Sequence, residues 1–250
     1  MSKKRYKVIA CEILFRETCF CAALSRSIID LQFMPKGLHD IGEQKMVGKL
    51  QNEIDRTDAD KYDAILLVYG LCNNGIRGLR ASIPLVIPRA HDCITLLMGS
   101  WKQYQEYFDT QPGIYFTPPR RIQRTANRCG ENPSIATQLG IDRTYADYVA
   151  QYGEENAAYL MEQLGDWLHN YQRLAYIDTG TGNPEYDKKI TAEQARERKW
   201  EYEELKGDLA LISRLFNGDW NDQDFLVVEP NRQVVPSYDE TVITSSDKES

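Results

Sequence analysis

The chain has 250 residues, a formal net charge of −7 and a pI near 5.2. This acidic balance argues against binding to the phosphate backbone of nucleic acids, and no apolar run is long enough to cross a bilayer. The opening "MSKKRYKVIACEILF" is basic and then apolar, but it lacks a small-residue cleavage site. We therefore expect it to form a strand rather than a signal peptide, and the protein to be cytoplasmic.

Short apolar runs rich in Val, Ile and Leu alternate with helical patterns through the first half, which indicates βα units. Near-continuous apolar runs are typical of parallel strands that are buried on both faces. The predicted strands are Tyr6–Cys11, Ile28–Phe33, Ala64–Tyr69 and Pro84–Ile87. The predicted helices are Glu17–Arg26, Gly42–Asp55, Gly75–Ala81 and Ile94–Phe108.

The second half opens with a long loop rich in Pro, Arg and Asn, followed by a helical pattern at Asn156–Leu174. We then predict a strand at Ala175–Gly180, a long charged helix at Tyr186–Phe216 and a last strand at Asp224–Pro230 that rejoins the sheet. The final residues, "TVITSSDKES", are polar and typical of a frayed terminus.

These patterns predict an α/β fold with a mostly parallel, Rossmann-like sheet flanked by helices and a helix-rich C-terminal half packed on it. We expect one domain over residues 1–235, with a βα core at 1–120 and a helix-rich part at 121–235. A flexible tail at 236–250 follows.

Three of the six cysteines come at the ends of predicted strands. Cys11 closes the first strand, Cys72 follows the third and Cys93 follows the fourth. The carboxyl ends of parallel strands share the edge where open α/β sheets bind ligands, so the three thiols are expected to converge. Three thiolates can hold a tetrahedral Zn²⁺ with one open position, or a [4Fe-4S] cluster with one iron lacking a protein ligand. The alternative is three unrelated buried thiols, because free cysteine is commonly a small core residue.

Polar residues near the same edge extend the candidate site. His91 lies two residues before Cys93 and is a candidate ligand or acid–base group, and His39 follows the second strand as a further acid–base candidate or a surface turn residue. Arg89 is a candidate for orienting a substrate carboxylate. Asp92 is interpreted as the partner of a ligating histidine or as a helix N-cap, and its position favours the cap.

The loop "GLCNNGIRG" supplies candidate cofactor-binding residues at Gly70, Asn73, Asn74 and Gly75. Glycine-rich turns that lead into a helix can bind anions. The loop matches neither the dinucleotide fingerprint nor the P-loop, and it lacks the P-loop lysine. Glycines that let the backbone approach a metal or a cluster explain the pattern equally well.

The segments "ACEIL", "LQFMPKGLHD", "YGLCNNGIRGL", "IPRAHDCITLLMGS" and "GIYFTP" together resemble the domain-of-unknown-function 1638 family. The resemblance extends from the first strand to about Tyr176. It implies a cytoplasmic protein of anaerobic archaea and bacteria, often met near corrinoid-dependent methyl-transfer systems. It also favours Cys11, Cys72, His91 and Cys93, which match the family's motifs.

The sequence therefore predicts a metal-binding protein, with zinc as the first choice and a [4Fe-4S] cluster as the alternative. The expected activity is that of a metal-dependent transferase of one-carbon or sulfur metabolism, which activates a thiol or binds a small-molecule substrate. The competing hypothesis is an accessory protein that carries a metal, a corrinoid or a small ligand for a methyltransferase or corrinoid protein. A metal-free ligand-binding domain is a third hypothesis.

Overall fold

The computed structural model describes residues 3–35, 38, 42–110, 114–117, 149, 153–154, 156, 172–237 and 239–247. Over these residues the fold is mixed α/β. The strands are β1 Arg5–Cys11, β2 Ile28–Met34, β3 Ala64–Val68, β4 Leu85–Pro88, β5 Ile114–Thr117, β6 Arg173–Asp178, β7 Glu201–Lys206, β8 Phe225–Val228, β9 Arg232–Pro236 and β10 Ile243–Asp247. The helices are α1 Phe15–Leu24, α2 Glu43–Asp55, α3 Cys93–Met98, α4 Trp101–Thr110, α5 Pro184–Arg198 and α6 Ala210–Asn217, with a 3₁₀ turn at Glu12–Leu14.

The central sheet has the strand order β2-β1-β3-β4-β8. Its first four strands are parallel, and β8 runs antiparallel to β4. All four strands predicted in the first half are present, and their ends lie within one residue of the prediction. The mostly parallel α/β sheet is thus confirmed.

Both faces of the central sheet are covered, and strand β3 shows why its sequence has no polar position. Leu66 and Val68 belong to the apolar core on one face, whereas Ile65 and Leu67 belong to the core on the other. All five residues of β3 are buried. Alternate side chains of a strand point to opposite faces, so a strand between two layers must be apolar throughout.

Helix α2 covers one of these faces through an apolar stripe. Met46, Leu50 and Ile54 are its buried residues, and they recur at the four-residue spacing that places side chains on one side of a helix. The helix begins at Glu43 and ends at Asp55, close to the predicted bounds.

The helix predicted at Gly75–Ala81 is wrong, because residues 72–78 form a series of turns. This segment is held by β9 instead: the Gly78 amide donates to the carbonyl of Val234, and the Val234 amide donates to that of Leu79. Backbone pairing with β9 replaces the hydrogen bonds that a helix would supply.

The single helix predicted at Ile94–Phe108 is two helices, α3 and α4. Gly99 ends α3 in the left-handed conformation, with φ +74°. A Cβ atom at Gly99 would lie 2.7 Å from the backbone oxygen of Asp208, so close packing as well as φ requires glycine here.

A second parallel sheet, with the order β5-β6-β7, joins one strand from the middle of the chain to two strands of its second half. The long helix predicted at Tyr186–Phe216 is wrong: Lys199 ends α5 with φ +57°, and β7 follows to pair with β6. Residues 172–247 contain five strands and two helices, so the prediction of a helix-rich second half is not confirmed. No helix within the described ranges is long and apolar enough to span a membrane.

The strand predicted at Asp224–Pro230 does rejoin the central sheet, as β8, but it is not the last strand. Strands β9 and β10 form an antiparallel hairpin. Ile243–Asp247 are therefore paired, whereas the sequence predicted a frayed tail over these residues. The division into one domain and a tail stays a prediction.

A buried carboxylate links helix α1 to the loop that follows β6. Glu17 is only 1% exposed, and its Oε1 accepts hydrogen bonds from the hydroxyls of Thr181, at 2.6 Å, and Thr179, at 3.1 Å. A buried carboxylate requires such donors. These bonds connect the first βα unit to the second sheet.

Replacing Thr181 by Val should lower the free energy of unfolding by about 1.5–3 kcal/mol, because it removes a hydrogen bond to a buried carboxylate. Chemical denaturation measures this loss. Thr110→Val, at an exposed position near the end of α4, is the control and should change the free energy by less than about 0.5 kcal/mol. Equal effects of the two substitutions would contradict the assignment.

Candidate metal centre

The strand order places a topological switch between β1 and β3, the position at which open α/β sheets commonly bind ligands. The chain passes from β1 to β2 on one side and then crosses to β3 on the other, which makes this point a topological switch of the parallel sheet. Cys11 is the last residue of β1, and Cys72 lies four residues after the end of β3. Both thiols thus lie at the carboxyl edge, as predicted.

Backbone pairing continues past the ends of β3 and β4 and brings their loops together. The Leu71 amide donates to the carbonyl of Ala90, and the Cys72 amide donates to that of His91, each at 2.8 Å. Gly70 makes this approach possible, because a Cβ atom there would lie 2.5 Å from the amide nitrogen of Asp92. The loops that carry Cys72 and Cys93 are therefore locked side by side.

Asp92 caps the N-terminus of helix α3, as predicted from the sequence. Its Oδ1 accepts hydrogen bonds from the amides of Ile94 and Thr95, and its Oδ2 accepts one from the hydroxyl of Tyr104. Cys93 is the first residue of this helix. The cap fixes the backbone direction at Cys93.

Replacing Asp92 by Ala should lower the free energy of unfolding by about 0.5–2 kcal/mol, the usual cost of losing an N-cap side chain. Asp92→Asn keeps an oxygen acceptor and should retain most of that stability. Denaturation midpoints at an unchanged m-value measure both effects. An equal loss for Asn and Ala would show that the charge of Asp92, rather than its oxygen acceptor, matters.

The three thiols influence one another electrostatically. Burial, followed by the Cys11 thiol, raises the pKa of Cys72 to about 12. Burial, the Asp92 carboxylate and the thiols of Cys72 and Cys11 raise the pKa of Cys93. Cys72 and Cys93 are only partly covered, yet enough protein surrounds both sulfurs to disfavour the thiolates. The three thiols therefore act on the same stretch of the carboxyl edge, and their joint binding of a metal stays a prediction.

The hydroxyl of Tyr69 belongs to this group, although the sequence did not single it out among 15 tyrosines. Tyr69 is 3% exposed and lies in the same apolar core as Cys11. Burial and the thiols of Cys11 and Cys72 raise its pKa. Its place one residue after β3, on the Cys11 face of the sheet, is the signal that identifies it.

Cys72 begins a left-handed turn. Its φ is +46°, and those of Asn73 and Asn74 are +58° and +67°. Asn tolerates this conformation, but Cys rarely adopts it, and such strain collects at functional sites. The turn closes where the Gly75 amide donates to the carbonyl of Cys72.

The four residues predicted to bind a cofactor have clear packing roles. Gly70 contacts the backbone of the neighbouring loop, and Gly75 lies against the side chain of Met46 on α2. Asn73 and Asn74 form the left-handed turn and are at least partly exposed. Their cofactor-binding role stays a prediction.

The predicted catalytic residues have different outcomes. The side chain of His91 is exposed, and the backbone carbonyl of His91 accepts a hydrogen bond from the Cys72 amide. The Arg89 guanidinium donates to the backbone carbonyls of Asp222, Thr241 and Ile243. These bonds tie β4 to the segments around β8 and β10, which gives Arg89 a structural role, and its predicted contact with substrate stays a prediction. His39 lies outside the described residues.

The side chains predicted to bind a metal are near one another but not gathered around one point. Within the described part of the chain, no group of three or more His, Cys, Asp or Glu side chains is placed to hold a metal ion. The five cysteines in that part are thiols. The edge thus brings the thiols together without forming a closed coordination site.

The family model described as "Protein of unknown function (DUF1638)" matches residues 33–216 of the chain. The matched range includes Cys72, His91 and Cys93 and begins after Cys11. No curated protein and no solved structure matches the chain. The predicted resemblance is thereby confirmed, whereas the predicted association with corrinoid systems is not tested.

Proposed function

The chain belongs to the DUF1638 family, and on that premise we propose that it is a metal-binding protein whose metal is held by Cys11, Cys72 and Cys93. One observation carries the proposal. Three thiols lie at or just beyond the ends of three neighbouring parallel strands, where Cys11 raises the pKa of both Cys72 and Cys93 and Cys72 raises that of Cys93. Independent core cysteines have no reason to meet at this edge.

The charges around Cys72 and Cys93 support the proposal of a bound cation. The side chains that shift the pKa values of Cys72 and Cys93 are thiols and a carboxylate, all of which disfavour a thiolate. No cationic side chain contributes among the described residues. A bound cation supplies the missing positive charge, since a metal deprotonates a coordinating thiol outright. Binding requires the thiols to rotate inward, which the partial exposure of Cys72 and Cys93 permits.

Zinc is the first choice for this metal, because three thiolates leave one tetrahedral position open. A zinc held by these thiols would lower the pKa of a substrate thiol and so present a thiolate that takes a methyl group from its carrier, with the carrier as the leaving group. We propose a metal-dependent methyl or sulfur transferase acting on a small molecule, with a corrinoid protein or methyltransferase as its partner. The alternative centre is a [4Fe-4S] cluster with one open iron.

We also propose that the central sheet is Rossmann-like. The parallel order β2-β1-β3-β4, with its switch point between β1 and β3, supports a Rossmann-like sheet. A cytoplasmic location, where thiols stay reduced, suits the five described cysteines.

Anaerobic purification followed by elemental analysis and a visible spectrum tests the proposal. Near-stoichiometric zinc without colour supports a zinc protein, and brown absorbance with iron and acid-labile sulfide supports the cluster. A chain without metal after anaerobic reconstitution with either Zn²⁺ or iron and sulfide would overturn the proposal.

A further inference from the structure

The loop after strand β6 carries a pair of glycines at the carboxyl edge of the second sheet. Its sequence, "DTGTGNP", runs from Asp178, the last residue of β6, to Pro184, the first residue of helix α5. Gly180 and Gly182 have φ values of +72° and +80°, a conformation that suits glycine. A strand, a glycine turn and a helix follow one another in this way where parallel sheets bind nucleotides.

The elements that follow complete a βαβ unit. Helix α5 packs on both β6 and β7, and the two strands pair in parallel. Glu204, near the end of β7, follows Gly182 by about 20 residues, which is the spacing at which the nucleotide fingerprint places its ribose-binding acid. The turn and the acid are therefore brought to the same edge of the sheet.

A cleft lies where β6 and β7 end. Its volume is about 500 Å³, and its lining includes Asp178 and Gly180 from the β6 side and Glu204 and Lys206 from the β7 side. Ligand pockets commonly have volumes of about 300–1,000 Å³. The cleft is thus large enough for a nucleoside.

The walls of this cleft are fixed by hydrogen bonds. The Gly207 amide donates to the carbonyl of Asp178 at 2.7 Å, which continues the pairing of the two strands past their ends. The hydroxyls of Thr179 and Thr181 donate to the buried carboxylate of Glu17, which anchors the loop from the other side. A ligand would therefore meet a preformed backbone.

Lys188 of helix α5 holds two carboxylates at the cleft. Its Nζ lies 3.0 Å from Oδ2 of Asp178 and 3.0 Å from Oε2 of Glu204. The Gly180 amide and Lys188 keep the pKa of Asp178 below its usual value. Because an ionised carboxylate has about four acceptor positions, both groups can accept further hydrogen bonds from the hydroxyls of a ligand.

The first turn of α5 is unsuited to a phosphate. Its acidic residues are Glu185 and Asp187, which repel an anion. Pro184 has no amide hydrogen, and the side chain of Asn183 accepts a hydrogen bond from the Tyr186 amide. Glu185 also takes the place of the third glycine of the dinucleotide fingerprint. These features favour a ligand without phosphate groups.

We propose that this cleft binds a ribonucleoside that carries no phosphate, with Glu204 accepting hydrogen bonds from the 2′- and 3′-hydroxyls of the ribose. The glycine turn lets the ligand approach the backbone after β6, and Asp178 holds that turn by accepting a hydrogen bond from the Gly180 amide. The site lies on the second sheet and does not depend on the proposed metal centre.

Calorimetric titration of the full chain with adenosine, guanosine, cytidine and uridine tests the proposal. At least one of them should bind, and the 2′-deoxyribonucleoside with the same base should bind roughly 10–100-fold more weakly, because a hydrogen bond to a charged group is lost. The 5′-monophosphate should also bind more weakly than the nucleoside, because its charge meets the acidic first turn of α5.

Glu204→Gln tests the assigned acceptor. It should weaken binding of the ribonucleoside by roughly 10–100-fold and narrow the difference between ribonucleoside and deoxyribonucleoside. Glu203→Gln is the matched control, since Glu203 is the preceding residue of β7, points to the opposite face of the sheet and lies near Arg173. The control should bind as the wild type does.

Each result supports or overturns one claim. Wild-type chain that binds none of the four nucleosides would overturn the site. Equal affinity for ribonucleoside and deoxyribonucleoside would overturn the role of Glu204, and this comparison on the wild type decides even if Glu204→Gln fails to fold. Tighter binding of the monophosphate would overturn the ligand class. Cys72→Ala should bind the nucleoside normally, so failure of the metal centre would leave this site standing.

Discussion

Replacing Cys72 by Ala is expected to lower metal affinity by more than about 100-fold, because the loss of a ligand should exceed the 10–100-fold cost of losing a group that only orients one. The metal-free fold should change little, since Cys72 is partly exposed and follows the strand rather than lying within it. Competition with a chelator measures the affinity, and thermal unfolding without metal measures the fold.

Cys19→Ala is the control for this substitution. Cys19 is likewise a partly buried thiol, but it lies on helix α1 rather than at a strand end. Its removal should leave metal content at the wild-type level. Equal losses in the two variants would indicate nonspecific thiol binding and contradict the assignment of Cys72.

Replacing Gly70 by Ala is expected to lower the free energy of unfolding by roughly 1–3 kcal/mol and to weaken metal binding as well. The added methyl group would lie 2.5 Å from the amide nitrogen of Asp92, and the atoms it would meet, in His91 and Asp92, are all backbone. The loops that carry Cys72 and Cys93 must therefore move apart. Denaturant titration and a chelator competition measure the two consequences.

Gly48→Ala makes the same chemical change where there is room. Gly48 lies in the interior of helix α2, and a Cβ atom there meets nothing within 4 Å. Alanine should stabilise the helix by about 0.5–1 kcal/mol and leave metal affinity unchanged. If Gly70→Ala were equally stabilising, the close approach of the two loops would be wrong.

The strands of the central sheet were predictable because burial on both faces leaves a strong apolar signal. The convergence of Cys11, Cys72 and Cys93 followed from the same prediction, since parallel strands place their carboxyl ends together. The N-cap role of Asp92 was also predictable, because it depends only on the residue type and the apolar run after it.

The errors arose where tertiary contacts decide the backbone. Strand β7, "EYEELK", is rich in helix-forming residues and becomes a strand because it pairs with β6. The turns after Cys72 replace a predicted helix because β9 pairs with them. Neither partner is close in sequence, so local propensity could not reveal the pairing.

Two features of the candidate site required coordinates. Tyr69 is one tyrosine among 15, and only its burial beside Cys11 distinguishes it. Arg89 follows a strand like a ligand-binding residue, but its guanidinium reaches backbone carbonyls more than a hundred residues away in sequence. Sequence position identifies the edge of the sheet and leaves open which side chains turn into it.

X-ray absorption at the edge of the bound metal tests the central claim most directly, because it counts the sulfur atoms around that metal. For zinc, the account predicts about three sulfur neighbours near 2.3 Å in the wild-type protein and fewer in Cys72→Ala. For a cluster, it predicts iron with sulfur neighbours and nearby iron. A bound metal surrounded only by nitrogen or oxygen near 2.0–2.2 Å would contradict a centre held by Cys11, Cys72 and Cys93.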